Sequence, residues 1–211
     1  MKRLSYRTWL NYAVLTAIGL VMIYPLIWLF FASFKSNQEI FGSTELLPDK
    51  YIWDSYKLGW RGTGQFGFRD FMINTFKLTI PTVGCTILSS TLAGYGFARF
   101  RFPCKKLLFA IMISTMMLPN AVIIIPRYLL FKNLGWMNSY YPFIVPAAFA
   151  TSAFFVFMMV QFFRGLPREL DESAIMDGCN SFTTLTRVLL PLSAPALFSV
   201  GIFQFIWTWN D

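Results

Sequence analysis

Five long stretches of the sequence contain no aspartate, glutamate, lysine or arginine. Each is long enough for the roughly 20 residues that a helix needs to cross a bilayer. A backbone in lipid must satisfy its own hydrogen bonds, and the short segments of alternating polarity typical of membrane β-barrels do not occur. The pattern therefore predicts an all-α, polytopic membrane helix bundle with about five spans. The stretches are residues 8–34, 78–98, 107–126, 133–163 and 188–210.

The fourth stretch is too long for one span, so its helix is predicted at 141–163. The segment before it, NLGWMNSYY, is interpreted as a turn that carries aromatic side chains at the membrane interface. The predicted order along the chain is a cytoplasmic tail at 1–10, span 1 at 11–34, an external loop at 35–70, span 2 at 71–98, a cytoplasmic loop at 99–106, span 3 at 107–128, an external turn at 129–140, span 4 at 141–163, a cytoplasmic loop at 164–190 and span 5 at 191–211.

The orientation follows from the basic residues beside the spans. The amino-terminal tail carries Lys2, Arg3 and Arg7 without an acidic residue, and the loop at 99–106 is also basic without an acid. The loop at 35–70 instead balances lysines and arginines against as many acids. Because cytoplasmic loops are enriched in lysine and arginine, the amino terminus is predicted to be cytoplasmic. The first apolar stretch is too long for a cleaved signal peptide and is interpreted as an uncleaved span.

Composition supports a membrane protein. Hydrophobic residues make up 56% of the chain and charged residues 13%, against about a quarter in soluble domains. The net charge of +8 comes from basic residues at the edges of apolar runs, which indicates contact with membrane lipid and argues against nucleic-acid binding.

The residue types needed for catalysis are scarce. The chain has no histidine, and its three widely separated cysteines lack the spacing of metal ligands, so neither a catalytic nor a metal site is expected. The five charge-free stretches contain no carboxylate, which disfavours an intramembrane enzyme or a proton-coupled carrier. The phosphate-binding pattern G-x-x-x-x-G-K-[ST] is also absent, so no cofactor is expected to bind this chain.

One short segment of the loop at 164–190 concentrates acidic residues. A helix is predicted there, with three of its acids near the positive end of the helix dipole. Gly178 is expected to end it, because glycine readily adopts the left-handed backbone conformation found at the carboxyl-terminal ends of helices. Asn180 or Ser181 is expected to cap a second helix that runs to Leu190. Phe182, Leu185 and residues 188–189 are expected to pack that helix on the bundle. The residues alone leave two interpretations open, a solvated loop or a helix that docks in a partner's groove. The acidic residues are Glu169, Asp171, Glu172 and Asp177.

The same segment resembles the EAA signature of ABC importer permeases, E-A-A-x3-G-x9-I-x-L-P. Glu172-Ser-Ala-x3-Gly178 is followed, after nine residues, by Val188-Leu-Leu-Pro191. Serine replaces the middle alanine, and valine replaces isoleucine. The longer run LPRELDESAIMDGCNSFTTLTRVLLPLSAPAL is similar to the carbohydrate-importer branch, the maltose-type inner permeases. Further similarity lies in LAGYGFARFRFPCKKLLF, MMLPNAVIIIPRYLLFKNLGWMNS and the final WND.

This resemblance implies that the acidic segment is a coupling helix, which docks in a cleft of a cytoplasmic ABC ATPase subunit. Glu172 would make the charged contact, Ala174 would permit close approach, and Gly178 would form the turn. ATP and Mg would be used by the partner ATPase, while this chain performs no bond chemistry. The implied coupling residues are Glu172, Ser173, Ala174, Asp177, Gly178, Leu190 and Pro191.

The resemblance also implies a second permease subunit and an extracellular or periplasmic solute-binding protein, in a bacterial or archaeal cytoplasmic membrane. The solute would be a sugar or a related compound, with a polyol, glycerol phosphate or peptide as alternatives. Members of that family have six spans, and WND introduces the external stretch before the last span. The sequence is therefore expected to be a truncated permease, with an inactive truncated permease as an alternative. Its solute-contacting residues are not indicated by the pattern.

Overall fold

The computed structural model describes residues 6–62 and 64–211, and throughout these residues the regular structure is helical, with no strand. Thr63 and residues 1–5, which include Lys2 and Arg3 of the predicted tail, lie outside the described residues. The chain divides into two compact units at the boundary between Met72 and Ile73. Each unit is described by itself.

The amino-terminal unit contains a long apolar helix followed by an ordered loop. The helices are α1 (Tyr6–Ala32), α2 (Asn37–Gly42) and α3 (Asp54–Arg61), and α4 (Phe68–Arg99) begins at its end. Lys35 anchors the loop, because its side chain is buried and its Nζ donates to the Glu45 carbonyl at 2.6 Å. The Phe34 ring packs edge-on against Trp53 with centroids 5.0 Å apart. A lysine and a phenylalanine directly after α1 therefore order much of this loop.

The second unit is a helical bundle with several short elements. After α4 come α5 (Lys105–Thr115), α6 (Asn120–Asn133), α7 (Tyr141–Ala148), α8 (Ala153–Gly165), α9 (Glu169–Met176), α10 (Ser181–Thr183), a π-helix (Thr184–Leu189), α11 (Leu190–Leu192) and α12 (Ala194–Trp209).

Helix length and hydropathy in the described residues agree with a multi-span membrane protein. Three helical segments are long and apolar enough to cross a bilayer, namely Tyr6–Ala32, Phe68–Arg99 and Tyr141–Gly165, the last of which consists of α7 and α8 in succession. Two further pairs are apolar enough but bent, by 101° between α5 and α6 and by 78° between Ser181–Leu192 and α12. Counting each bent pair as one span gives the five that the charge-free stretches predict.

The fourth predicted span is interrupted within the membrane-length segment. The structure ends α7 at Ala148 and begins α8 at Ala153, and Ala150 between them has a φ of 54°. Both the backbone N–H and the hydroxyl of Thr151 donate to the Pro146 carbonyl, at 3.3 and 3.0 Å. These bonds close the end of α7, so that α7 and α8 form one membrane-length segment with a short non-helical interruption.

The core of the second unit forms around α8. Phe155, Met159, Val160 and Phe163 are fully buried there, against Tyr95 of α4 and other apolar side chains. The remaining buried members of this cluster are Ala98, Leu185, Leu189, Ala196 and Val200. Helices α4, α8 and α12 and the π-helix thus enclose one apolar core.

Gly94 sets the closest approach of α4 to α8. A Cβ built at Gly94 would lie 2.6 Å from the Met159 Cβ, which is far inside van der Waals contact. Small residues at membrane helix interfaces allow such approach and increase dispersion contact. The glycine is therefore required by packing, since its backbone has no left-handed φ.

We predict that Gly94→Ala destabilises the bundle by about 1–3 kcal/mol, because the added methyl group overpacks the interface with α8. Gly96→Ala is the matched control, since a Cβ at Gly96 meets no atom within 4 Å. Thermal unfolding of the purified chain in detergent measures the difference. Equal unfolding temperatures for the two variants would contradict the proposed contact.

Candidate functional site

Helix α9 is a short helix with a well-defined end. Gly178 has a φ of 80°, and its N–H donates to the Ile175 carbonyl at 2.9 Å. The N–H of Cys179 donates to the Ala174 carbonyl, also at 2.9 Å. These two bonds form a Schellman motif, in which a left-handed residue satisfies the last carbonyls of a helix. The glycine terminus predicted from the sequence is therefore present in the structure.

The exposed face of α9 combines acidic and apolar side chains. Glu172 and Asp177 are exposed, and beside them Ile175 and Met176 have 65% and 87% of their surface in solvent. Ser173 is exposed as well, and its hydroxyl donates to the Glu169 carbonyl at 2.7 Å. A surface of this kind offers both apolar area and negative charge to a partner.

The structure separates the sequence-predicted coupling residues into three places. Glu172 and Ser173 lie on the exposed side of α9, and Asp177 and Gly178 follow, also exposed, at its carboxyl-terminal end. Ala174 points the other way and is only 4% exposed, so its small side chain lets α9 pack against its own chain. The remaining two, Leu190 and Pro191, lie in α11 beyond the π-helix.

The segment after the turn begins as the sequence predicts and then departs from an ordinary α-helix. Asn180 caps it, with its Oδ1 accepting from the Thr183 N–H at 2.8 Å. Leu185 and Leu189 are buried as expected, but the expectation for Phe182 was wrong, because this side chain is 69% exposed. From Thr184 to Leu189 the helix widens to the π form. Proline at 191 lacks an N–H and crowds the preceding turn, which favours such widening.

Arg99 at the end of α4 holds the start of α9. Its Nε lies 3.0 Å from an Asp171 carboxylate oxygen, and a terminal nitrogen donates to the Leu166 carbonyl at 3.1 Å. The side chains of Arg99 and Asp171 are only 8% and 19% exposed. The Nε–H is not aligned for a hydrogen bond to the carboxylate, so attraction between charges holds this pair.

Tyr95, one turn earlier on α4, contacts the other side of the turn. Its hydroxyl donates to the Ser181 carbonyl at 3.1 Å. The segment from Leu166 to Ser181 is thus fastened to α4 both before and after α9. The sequence pattern assigns Arg99 a part in membrane orientation only and Tyr95 no role, because both contacts join residues more than 65 positions apart.

A second feature of this unit is a large cavity of about 1010 Å³, which we call the polar cavity because hydroxyl and amide groups border it among more numerous apolar side chains. Thr82 and Thr86 of α4 line it, together with Gln204 and Thr208 of α12 and Ser152 of the α7–α8 interruption. No solute-contacting residue is predicted from the sequence. The available signal was the spacing of four between polar residues within apolar helices, both at 82 and 86 and at 204 and 208.

Residues 86–211 match the family of binding-protein-dependent transport system inner membrane components. The chain belongs to this family.

Several named permeases are similar to this family member. It is 30% identical over 192 residues to the probable ABC transporter permease protein YurM of Bacillus subtilis, covering 91% of this chain and 63% of YurM. It is 27% identical to the diacetylchitobiose uptake system permease protein NgcG of Streptomyces coelicolor, covering 96% of this chain and 66% of NgcG. It is 29% identical to the trehalose/maltose transport system permease protein MalG of Thermococcus litoralis, covering 94% of this chain and 70% of MalG. The chain therefore spans about two thirds of the length of these relatives.

A solved structure shares the fold of this permease-family chain. A chain of a bacterial ABC transporter involved in the import of the acidic polysaccharide alginate superposes with a TM-score of 0.87 at 23% sequence identity. The match covers 100% of this chain and 75% of the other. At this identity the likeness concerns the fold alone, and it supports the all-α membrane bundle.

The end of α9 generates one prediction for this family member. Gly178→Ala should cost about 1 kcal/mol, because a side chain in the left-handed region is strained although the space around it is open. Gly178→Asn should be better tolerated, since asparagine adopts this conformation more readily. Gly165→Ala is the control, with open space and no left-handed φ. Thermal unfolding in detergent measures the stability of all three variants. Equal unfolding temperatures for Gly178→Ala and Gly165→Ala would contradict backbone strain at position 178.

The ion pair between Arg99 and Asp171 generates a second prediction for this site. Asp171→Asn should destabilise the attachment of α9 by about 2 kcal/mol, because it leaves the guanidinium of Arg99 poorly compensated. Proteolytic cleavage within 164–180 should accelerate, and the reversed pair Arg99→Asp/Asp171→Arg should recover part of the protection. Glu169→Gln is the matched control, an exposed acid of the same helix outside the ion pairs found among the described residues. Protection of Asp171→Asn equal to that of the control would contradict the role of the pair.

Proposed function

We propose that this chain is the transmembrane permease subunit of an ATP-binding-cassette importer that moves a sugar or related solute into the cell. The observation that carries the proposal is α9, a rigid capped helix that bears the signature residues and is fastened to α4 on both sides. ATP and Mg are used by a separate cytoplasmic ATPase subunit. The chain itself acts by binding that subunit and by changing conformation.

The exposed end of α9 suits docking into a groove of the ATPase. Met176 and Ile175 supply apolar area, and burying such side chains stabilises an interface by about 1.5–3 kcal/mol each when the burial is complete. Glu172 and Asp177 beside them supply negative charge that orients the helix toward basic groups of the partner. Because the Schellman end and the contacts to α4 hold the helix in place beforehand, less conformational entropy is lost on binding.

Family membership and the names of the relatives support the remaining partners and the solute class of this proposal. A second permease subunit completes the transmembrane pathway, and an extracellular or periplasmic binding protein delivers the solute. The names of NgcG and MalG refer to diacetylchitobiose and to trehalose and maltose, which supports a carbohydrate for this chain. The proposed location is the cytoplasmic membrane of a bacterium or archaeon.

We predict that Glu172→Lys prevents recovery of the ATPase when the chain is purified in mild detergent. The lysine reverses the charge at the centre of the proposed contact surface, where like charges at an interface are costly. Glu45→Lys is the control, an exposed acid in the loop predicted to lie on the opposite side of the membrane. Mass spectrometry of the copurifying proteins, with unfolding temperatures of both variants, is the measurement.

The proposal requires that an ATPase subunit copurifies with the native chain and with the Glu45→Lys variant. It also requires that the ATPase is lost from the Glu172→Lys variant while the stability of that variant is unchanged. An ATPase that remains bound to Glu172→Lys would show that α9 is not the docking element. Recovery of the native chain without any ATPase would count against the importer itself.

A further inference from the structure

The polar cavity of the second unit gathers polar groups from several separate elements. Thr82 and Thr86 come from α4, Ser152 from the α7–α8 interruption, and Gln204 from α12. The outer surfaces of these helices are largely apolar, as for Leu88 and Leu92 of α4, which are 67% and 56% exposed. Polar side chains within membrane spans are costly toward lipid and normally face a bundle interior or a water-filled space. Their convergence on one cavity therefore indicates a place for a polar ligand.

The interrupted backbone at 149–152 leads to the same conclusion. Non-helical backbone at membrane depth is tolerated only where it is buried in protein or borders water. Thr151 and Ser152, at the end of this interruption, both line the cavity. The interruption thus places hydroxyl groups and irregular backbone beside the space that the threonines of α4 border.

Helix α12 contributes an amide, a hydroxyl and an indole to the cavity. Gln204 lies ten residues into a sixteen-residue helix, about 15 Å along its axis and thus near half of a typical hydrocarbon thickness. Its Nε2 donates to the Thr208 hydroxyl oxygen at 2.7 Å, which leaves the amide oxygen and the hydroxyl hydrogen for other partners. The Trp207 ring is held by the rings of Phe154 and Phe155, with centroids 5.3 and 5.0 Å away.

The charge around the cavity is nearly balanced. Arg127 and Asp211 line it, and both side chains are exposed. The other polar groups at the cavity are hydroxyls, amides and the indole N–H of Trp207, all of them uncharged. A lining of neutral hydrogen-bonding groups with an aromatic wall suits an uncharged molecule that has many hydroxyl groups on one side and C–H surface on the other.

We propose that this cavity binds the ring of an uncharged, polyhydroxylated solute, with Gln204 and Thr208 as hydrogen-bond partners and Trp207 as the apolar wall. The proposal rests on the proposed function, because the ligand is the transported solute. It assigns solute contact to this subunit and to α12 in particular.

Cysteine labelling in membranes from cells that express the chain with its partners tests the site. Cys85, Cys104 and Cys179 are first replaced by alanine, and single cysteines are then introduced as Gln204→Cys or Thr86→Cys. Both should react with a charged, membrane-impermeant thiol reagent, because they border water. Ile202→Cys is the matched control on α12. Ile202 is 58% exposed but lies outside the polar cavity, where it faces lipid or the apolar groove between α4 and α12. A cysteine at this position should not react with the reagent.

Protection of Thr86→Cys, which lines the cavity and leaves the proposed partners Gln204, Thr208 and Trp207 intact, then identifies the ligand chemistry. The probes are maltose, trehalose, N,N′-diacetylchitobiose and galactobiose as uncharged disaccharides, and digalacturonate as an acidic one, each at high millimolar concentration. At least one uncharged probe should slow the labelling. Adding Trp207→Leu should raise the concentration needed for half protection by about tenfold. Trp209→Leu is the control, because Trp209 stacks on Phe205 and does not line the cavity.

Each contrary result overturns a stated part of the inference. Unreactive Gln204→Cys and Thr86→Cys would refute a water-filled cavity. Reactive cysteines that no probe protects, or that digalacturonate alone protects, would refute a site for uncharged sugars. Equal effects of the two tryptophan changes would refute Trp207 as the wall. None of these readings depends on recovery of the ATPase with the native chain, so failure of the site and failure of the importer proposal are distinguishable.

Discussion

The guanidinium of Arg99 is the constraint on which the arrangement of α9 depends. A largely buried cation must be compensated by acceptors, and Arg99 finds them in the Asp171 carboxylate and in the carbonyls that precede α9. Those acceptors lie on the inner side of the segment, so satisfying Arg99 turns the opposite side outward. The side chains of Glu172 and Met176 are exposed as a result. One desolvated charge therefore determines which face of a short helix is offered to a partner.

The same helix that holds α9 also borders the polar cavity. Arg99 and Tyr95 lie at the end of α4, Gly94 brings it against α8, and Thr82 and Thr86 lie further along it. From Thr82 to Arg99 the helix is continuous, which corresponds to about 25 Å. The residues that hold α9 and two of the residues that border the cavity therefore lie on one continuous helix, with no loop between them.

The parts of the fold that the sequence predicted depend on local pattern. The absence of charge over long windows predicts helices of span length, and Asp177-Gly178 predicts the end of α9, because only neighbouring residues decide these features. The missed parts depend on distant contacts or on strain. Phe182 has the composition of a core residue but faces solvent, and the break at Ala150 follows from hydrogen bonds to Pro146. The roles of Arg99 and Gly94 need the pairing of α4 with segments about 65 positions or more away.

The two long helices α1 and α4 also differ in what they require of their surroundings. The best 18-residue window of α1 has a mean hydropathy of 2.3, against 1.3 in α4. Leucine, isoleucine and phenylalanine favour insertion into a bilayer, so α1 partitions into lipid without help. Helix α4 instead carries buried threonines and serines, such as Thr79 and Ser90, that are stabilised only once neighbouring helices cover them. We therefore expect α1 to be retained in the membrane as soon as it leaves the translocation channel, and α4 to reach its final place only when α8 and α12 have been synthesised.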